Sequence, residues 1–117
     1  MDRPGSGKQE RYLQPSILIG LRKKASYGYE LIHTIQDFGF IEGQAPPGMI
    51  YRHLRQMEKE GLVTSEWQTK EGGAAKRMYT ISDEGEEVLL LWMDYIRARS
   101  QKLQKFIALF ESLEDKA

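Results

Sequence analysis

Within PGMIYRHLRQMEKEGLVTSEW, residues 47–67, the side chains Arg52, Arg55, Gln56 and Lys59 recur at helical spacing. Placed at 100° intervals they gather on one side of a helix, while Ile50, Leu54 and Met57 form a narrow apolar stripe opposite. One side needs a core; the other needs solvent or a polyanion. Arginine suits the second task because its planar guanidinium offers paired donors to guanine or to phosphate, which makes Arg52 and Arg55 the leading candidates for groove contacts. Met49 and His53 border the same face. Met49 suits a thymine methyl or the edge of a core, and His53 can touch nucleic acid from the helix. Tyr51 has a ring for the core's edge and a hydroxyl for a phosphate, with a purely structural role equally open. A single exposed arginine on a helix is ordinary solvated surface, so its surroundings must decide.

No other chemistry can be assembled. The chain has no cysteine, which excludes disulfides and thiolate sites. His33 and His53 are its two histidines, isolated in sequence and without partners at metal-ligand spacing, so no metal is expected. Neither a glycine-rich phosphate loop nor a G-x-S-x-G elbow occurs. The expectation is a non-enzyme with no catalytic residues and no cofactor.

Seventeen basic and seventeen acidic residues leave zero formal net charge, which argues against indiscriminate binding of nucleic acid. The charge is unevenly placed: residues 1–26 are net +4, 27–46 net −3, 47–81 net +2 and 82–117 net −3. A neutral chain can therefore present a basic face. Its 117 residues suit one domain, and 40% hydrophobic with 29% charged residues is a composition that folds. No apolar run approaches the roughly 18 residues of a membrane span, and MDRPGSGKQERY lacks an apolar signal core. The expectation is a cytoplasmic protein with no membrane partner.

The elements that must position the basic helix follow from caps and periods. Residues 1–12 read as a flexible arm without fixed structure. Pro15 suits the first turn of a helix carrying Ile17, Leu18 and Leu21, and Lys23 and Lys24 suit its negative end. Ser26 is placed to cap a second helix with Tyr29, Leu31, Ile32, Ile35 and Phe38 on its buried face, ended by Gly39. The connector 41–48 leads to Pro47, which opens the basic helix, and Gly61 closes it in a left-handed cap. LVTSEW and KRMYTI then read as two strands of a hairpin whose tip carries Lys70, Lys76 and Arg77. These three suit phosphate or minor-groove contacts as well as ordinary solubility.

Ser82 caps a last helix with an acidic first turn. Along it Leu89, Trp92, Ile96, Arg99, Leu103, Phe106, Phe110 and Leu113 alternate spacings of three and four, a heptad seam with one polar break at Arg99. A small domain cannot cover such a stripe from end to end, so the apolar seven predict a second copy and a homodimer. An aromatic such as Trp92 serves packing in a seam of this kind.

Helix, connector, helix and basic hairpin is the order of a winged helix-turn-helix. The expected fold is mainly α with a two-stranded β-wing: an arm (1–12), a DNA-binding domain (13–81) and a long dimerisation helix (82–117). Recognition helix and wing need a fixed angle, which accounts for the missing linker between them.

The chain also resembles the PadR-like transcriptional regulators, through YGYELI (27–32), PGMIYRHLRQMEKEGLVTSEW (47–67) and EGGAAKRMYTISDEG (71–85). The resemblance implies a winged-helix dimer that represses transcription at a palindromic operator, often released by a small molecule, with the last helix as dimer interface. Some members bind flat aromatic effectors between such helices with a tryptophan, so the resemblance implies Trp92 with Phe106 as a cleft for a small hydrophobic or aromatic effector. ERYLQPSILI and WMDYIRARSQKLQKFIALF are similar to the polyhydroxybutyrate-responsive repressors of that family. Met49 and Arg52 depart from the family's usual residues, so the base-reading surface is individual, and Ala74 and Ala75 stand where proline is frequent, which loosens the tip of the wing but leaves its charge intact. The competing expectation is a winged-helix protein-protein interaction module working through the amphipathic last helix. Salt-dependent affinity for double-stranded DNA separates the two.

Overall fold

The structure, a computed structural model, describes residues 9–41, 46–69 and 73–116. Leu13, Ile17, Leu18 and Leu21 are all buried on helix α1 (Leu13–Lys23), which touches every layer of the core. Gln9–Tyr12 forms one turn of 3-10 helix ahead of it, so the last four residues expected to be unstructured arm are ordered. Ser16 on α1 donates its hydroxyl to the Tyr12 carbonyl, 2.7 Å away, and helps fix that turn.

Helix α2 (Gly28–Asp37) buries Leu31 and Ile35, with Ile32 partly buried beside them. Two expectations need correction here. Tyr29 does not join the buried face; it is 45% exposed and stacks on Tyr27. Ser26 does not cap α2. Tyr27 holds the cap position, and its N–H donates to the Glu30 carboxylate three residues on. Ser26 and Tyr27 instead form a short strand, β1 (Ser26–Tyr27), whose extended backbone is needed for sheet pairing.

Helix α3 (Pro47–Lys59) starts on the expected proline and buries Ile50, Leu54 and Met57. Gly61 ends it at φ +80°. The Gly61 N–H bonds the Glu58 carbonyl and the Leu62 N–H bonds the Met57 carbonyl at 2.9 Å, two helix-terminal acceptors satisfied by one left-handed residue. Buried Leu62 against buried Met57 completes that stop, and the chain passes directly into β2 (Val63–Gln68).

β2 pairs antiparallel with β3 (Lys76–Ile81) from Val63↔Ile81 to Gln68↔Lys76. β1 pairs with the other edge of β3, through Ser26↔Tyr79 and Tyr27↔Met78. The sheet is therefore three-stranded, in the order β1-β3-β2, rather than a two-stranded wing alone. The third strand ties the root of the wing to the start of α2.

Ser82 caps helix α4 (Asp83–Asp115), accepting from the Gly85 N–H at 3.0 Å, with Asp83, Glu84 and Glu86 in the first turn. The helix is continuous for 33 residues, about 50 Å at 1.5 Å per residue. It gives the molecule a long axis of 69 Å and a radius of gyration of 17.9 Å, against about 13 Å for a compact chain of this length.

Candidate nucleic-acid interface

α3 is two-faced as expected. Opposite Ile50, Leu54 and Met57, the side chains of Arg52, Arg55, Gln56 and Lys59 are exposed, whereas Met49 and Tyr51 are half-buried against the core and His53 is partly covered. Tyr51 lies over the start of α2 at Gly28, where an added Cβ would collide with the edge of its ring. That glycine sets how closely the first turn of α2 approaches α3.

The two flanks of α3 are finished differently. On the wing flank, Tyr27, Gly28, Tyr29, Tyr51, Arg55, Trp67, Ala75, Lys76, Arg77 and Tyr79 line an open groove of about 460 Å³. Lys76 holds its ammonium 4.8 Å from the Tyr29 ring centre and 6.0 Å from that of Tyr27, a cation over two stacked rings. Arg77 sits 5.1 Å over Trp67, its cross-strand neighbour, and 3.7 Å from Glu58 of α3. The other Glu58 oxygen accepts from the Ser65 hydroxyl at 2.6 Å. Glu58 thus fastens the hairpin to α3 through both strands, and Arg77 is engaged in that fastening. Lys70 lies outside the described residues.

On the opposite flank, Arg52 Nη2 donates to Glu10 Oε1 at 2.9 Å, and His53 Nε2 reaches the same oxygen at 3.2 Å. Hydrogen bonds from His53 and then Arg52 hold the Glu10 carboxyl below its ordinary value of 4.5. Gln56 donates to Glu60 at 2.9 Å. Arg55 and Lys59 make no ion pair among the described residues, so their charge is open to solvent. His33 is exposed, and no cluster of metal-binding side chains occurs among the described residues.

The seam of α4 divides. Leu89 is 4% exposed within the chain's own core, and Trp92 is half-buried, donating to Gln14 at 2.7 Å. Ile96 is partly covered, while Leu103, Phe106, Phe110 and Leu113 are exposed at 55–72%. Leu89 therefore offers a partner no surface in this conformation. Trp92 and Phe106 lie about 21 Å apart along the helix, so a single chain does not bring them together. Trp92 instead joins Arg11, Val88, Leu91 and Tyr95 around an apolar hollow of about 290 Å³.

Three residues of consequence escaped sequence reasoning. Glu10 gave no signal, because it meets Arg52 across 42 positions of chain. Tyr29 has the spacing of the buried face of α2 yet stands 45% exposed, and Glu58 has the spacing of an ordinary helical charge yet holds the hairpin.

A three-helix head, a hairpin at the end of its third helix and exposed basic side chains on that helix define the winged helix-turn-helix class. Residues 17–90 match the Transcriptional regulator PadR-like family, and the chain belongs to that family of transcriptional regulators. It is 35% identical over 82 residues to a probable transcriptional regulator of Mycobacterium tuberculosis, covering 69% of this chain and 43% of that protein. A transcriptional regulator of Escherichia coli is 27% identical over 108 residues, covering 88% of this chain and 48% of that protein. The chain spans less than half the length of these two curated relatives. A PadR-like transcriptional regulator from Bacillus cereus superposes with a TM-score of 0.75 at 26% identity, over 87% of this chain and 97% of that one. A PadR family transcription regulator from Clostridium difficile gives 0.73 at 25% identity, over 82% and 98%. Among the described residues no helix is long and apolar enough to cross a membrane.

Proposed function

We propose that this transcriptional regulator is a dimeric, sequence-specific DNA-binding repressor whose release is governed by a small hydrophobic or aromatic effector. The observation that carries the reading is α3: its apolar side is spent on the core, and Arg52, Arg55, Gln56 and Lys59 stand exposed on the other. Each protomer lays this helix in a major groove, with Arg52 and Arg55 at base edges or phosphates and Tyr51 and Lys59 at the backbone. His53 and Gln56 read from the arm flank, and Met49 packs at the start of the helix. Lys70, Lys76 and Arg77 bring the wing to the neighbouring phosphates.

Dimerisation is supported by the far half of α4, where exposed Leu103, Phe106, Phe110 and Leu113 continue the seam beyond the domain that could cover it. Together with Ile96 they pair with the same helix of a second copy, which spaces the two recognition helices for half-sites about one helical turn apart. An antiparallel pairing about Arg99 sets Trp92 beside Phe106 of the partner subunit, so the effector cleft would form only in the dimer. Binding to labelled DNA from upstream of the protein's own gene, against scrambled duplex at two salt concentrations, tests the reading. Preferential binding that falls steeply with salt is expected. Weak and equal binding to both duplexes would leave the protein-interaction module, with α4 as its working surface.

A further inference from the structure

Arg55, on the wing flank of α3, makes no ion pair among the described residues, whereas Arg52 and His53 on the other flank do. There one carboxylate oxygen, Glu10 Oε1, meets both Arg52 Nη2 and His53 Nε2. Glu10, Arg52, His53 and Gln56 together border a hollow of about 260 Å³. The carboxylate is held by a built turn. Two residues on, the Tyr12 ring packs edge-on against Phe40, with centroids 5.2 Å apart, and tilts against Trp92 at 6.3 Å. The Tyr12 carbonyl also accepts from Ser16. α1 and α4 thus hold the turn that presents Glu10 to α3.

Carboxylate and phosphate oxygens are equivalent acceptors for a guanidinium or an imidazole. We propose that Glu10 is an affinity-restraining residue of the interface: its carboxylate occupies Arg52 and His53 in place of a DNA phosphate, and any duplex must displace it to reach them. The proposal rests on the DNA-binding reading above. The penalty falls on every duplex alike, so it leaves the ratio of affinities between sequences unchanged and lowers the affinity that phosphate contacts alone can reach. Repulsion between the carboxylate and an approaching phosphate acts in the same direction.

Glu10→Gln keeps the shape and removes the charge, and with 48% of the Glu10 side chain exposed the fold tolerates it. Fluorescence anisotropy with a short duplex of scrambled sequence, across a salt series, compares it with the wild-type chain. The variant should bind about three- to tenfold more tightly at low salt. Its slope of log K against log salt should steepen by up to about 0.9, since Arg52 then releases a phosphate counterion rather than an internal carboxylate. In an Arg52→Gln background the same substitution should give less than half that gain on a logarithmic scale. Equal or weaker binding by Glu10→Gln, or a gain undiminished without Arg52, overturns the proposal. Salt-sensitive wild-type binding without the gain removes the role of Glu10 alone. No salt-sensitive binding by either folded protein removes the DNA-binding reading, and this proposal with it.

Discussion

The two halves of α4 carry one repeating pattern to opposite ends. Near its start, Leu89 is buried, Trp92 donates to Gln14, and Glu86 pairs with Arg22 of α1. From Arg97 to Lys116 every residue is exposed, although Leu103, Phe106, Phe110 and Leu113 keep the same heptad positions. Apolar spacing therefore states that a stripe requires cover without stating what covers it. The near half is covered by α1 of its own chain; the far half has outrun the domain and is left for another helix.

Substitutions along α4 sharpen that contrast. Leu89→Ala should cost about 2–5 kcal/mol, as expected for a buried leucine, whereas Phe110→Ala should change the stability of the isolated protomer by no more than about 0.5 kcal/mol. Urea melts at low protein concentration measure both, and equal losses would erase the distinction between the halves. Phe106→Asp combined with Phe110→Asp should turn the proposed dimer into a folded monomer. Sedimentation should show the halved mass beside an unchanged far-UV circular dichroism spectrum, and a mass unaffected by two buried charges would remove these residues from the interface.

DNA binding separates the contact surface from the assembly surface. Arg55→Glu should weaken affinity at least about tenfold, roughly 1.4 kcal/mol, at every protein concentration. The double aspartate variant should lose affinity in a way that rising protein concentration does not restore if pairing is abolished. If Arg55→Glu binds as tightly as the parent in a salt titration, the groove assignment fails. At the near end of α4, Ser82→Ala should cost about 1 kcal/mol through loss of the cap, and a melt unchanged by it would show the helix start held by packing alone.

The smallest expected effect is on acidification. Because the Glu10 carboxyl is depressed below 4.5, its contribution is complete above the ordinary carboxylate value and lost as the pH falls through the lowered one. A carboxyl NMR titration of Glu10 should place its midpoint below 4.5 in the parent chain. Arg52→Gln should move it upward; an unmoved midpoint would mean that the arginine contact is not formed in solution.

Much of α3 and its surroundings was legible along the chain. Ile50, Leu54 and Met57 against Arg52, Arg55, Gln56 and Lys59 is a division set by the helical period alone, and the structure buries and exposes those residues accordingly. The stop at Gly61 and the cap at Ser82 were equally local, each needing only a few neighbouring backbone groups. β1 escaped notice because two residues carry no period and acquire strand geometry only by pairing with β3. Tyr29 was misplaced for a related reason: its spacing suited the buried face, but Tyr27 and Lys76 offered its ring a partner on the opposite side.

By itself, then, the amino-acid order determined the four helices and the two hairpin strands, the stop of α3 and the cap of α4, and that α3 must face a core on one side and a polar surrounding on the other. These are consequences of spacing and of caps that act within a few residues. Tertiary structure alone decided that Glu10 would meet Arg52 and His53, that Glu58 would bind the wing through Arg77 and Ser65, and that the cover of α4 would run out beyond Ile96. Each depends on the distance between elements far apart in the chain, and that distance exists only after α1 has packed the helices around it.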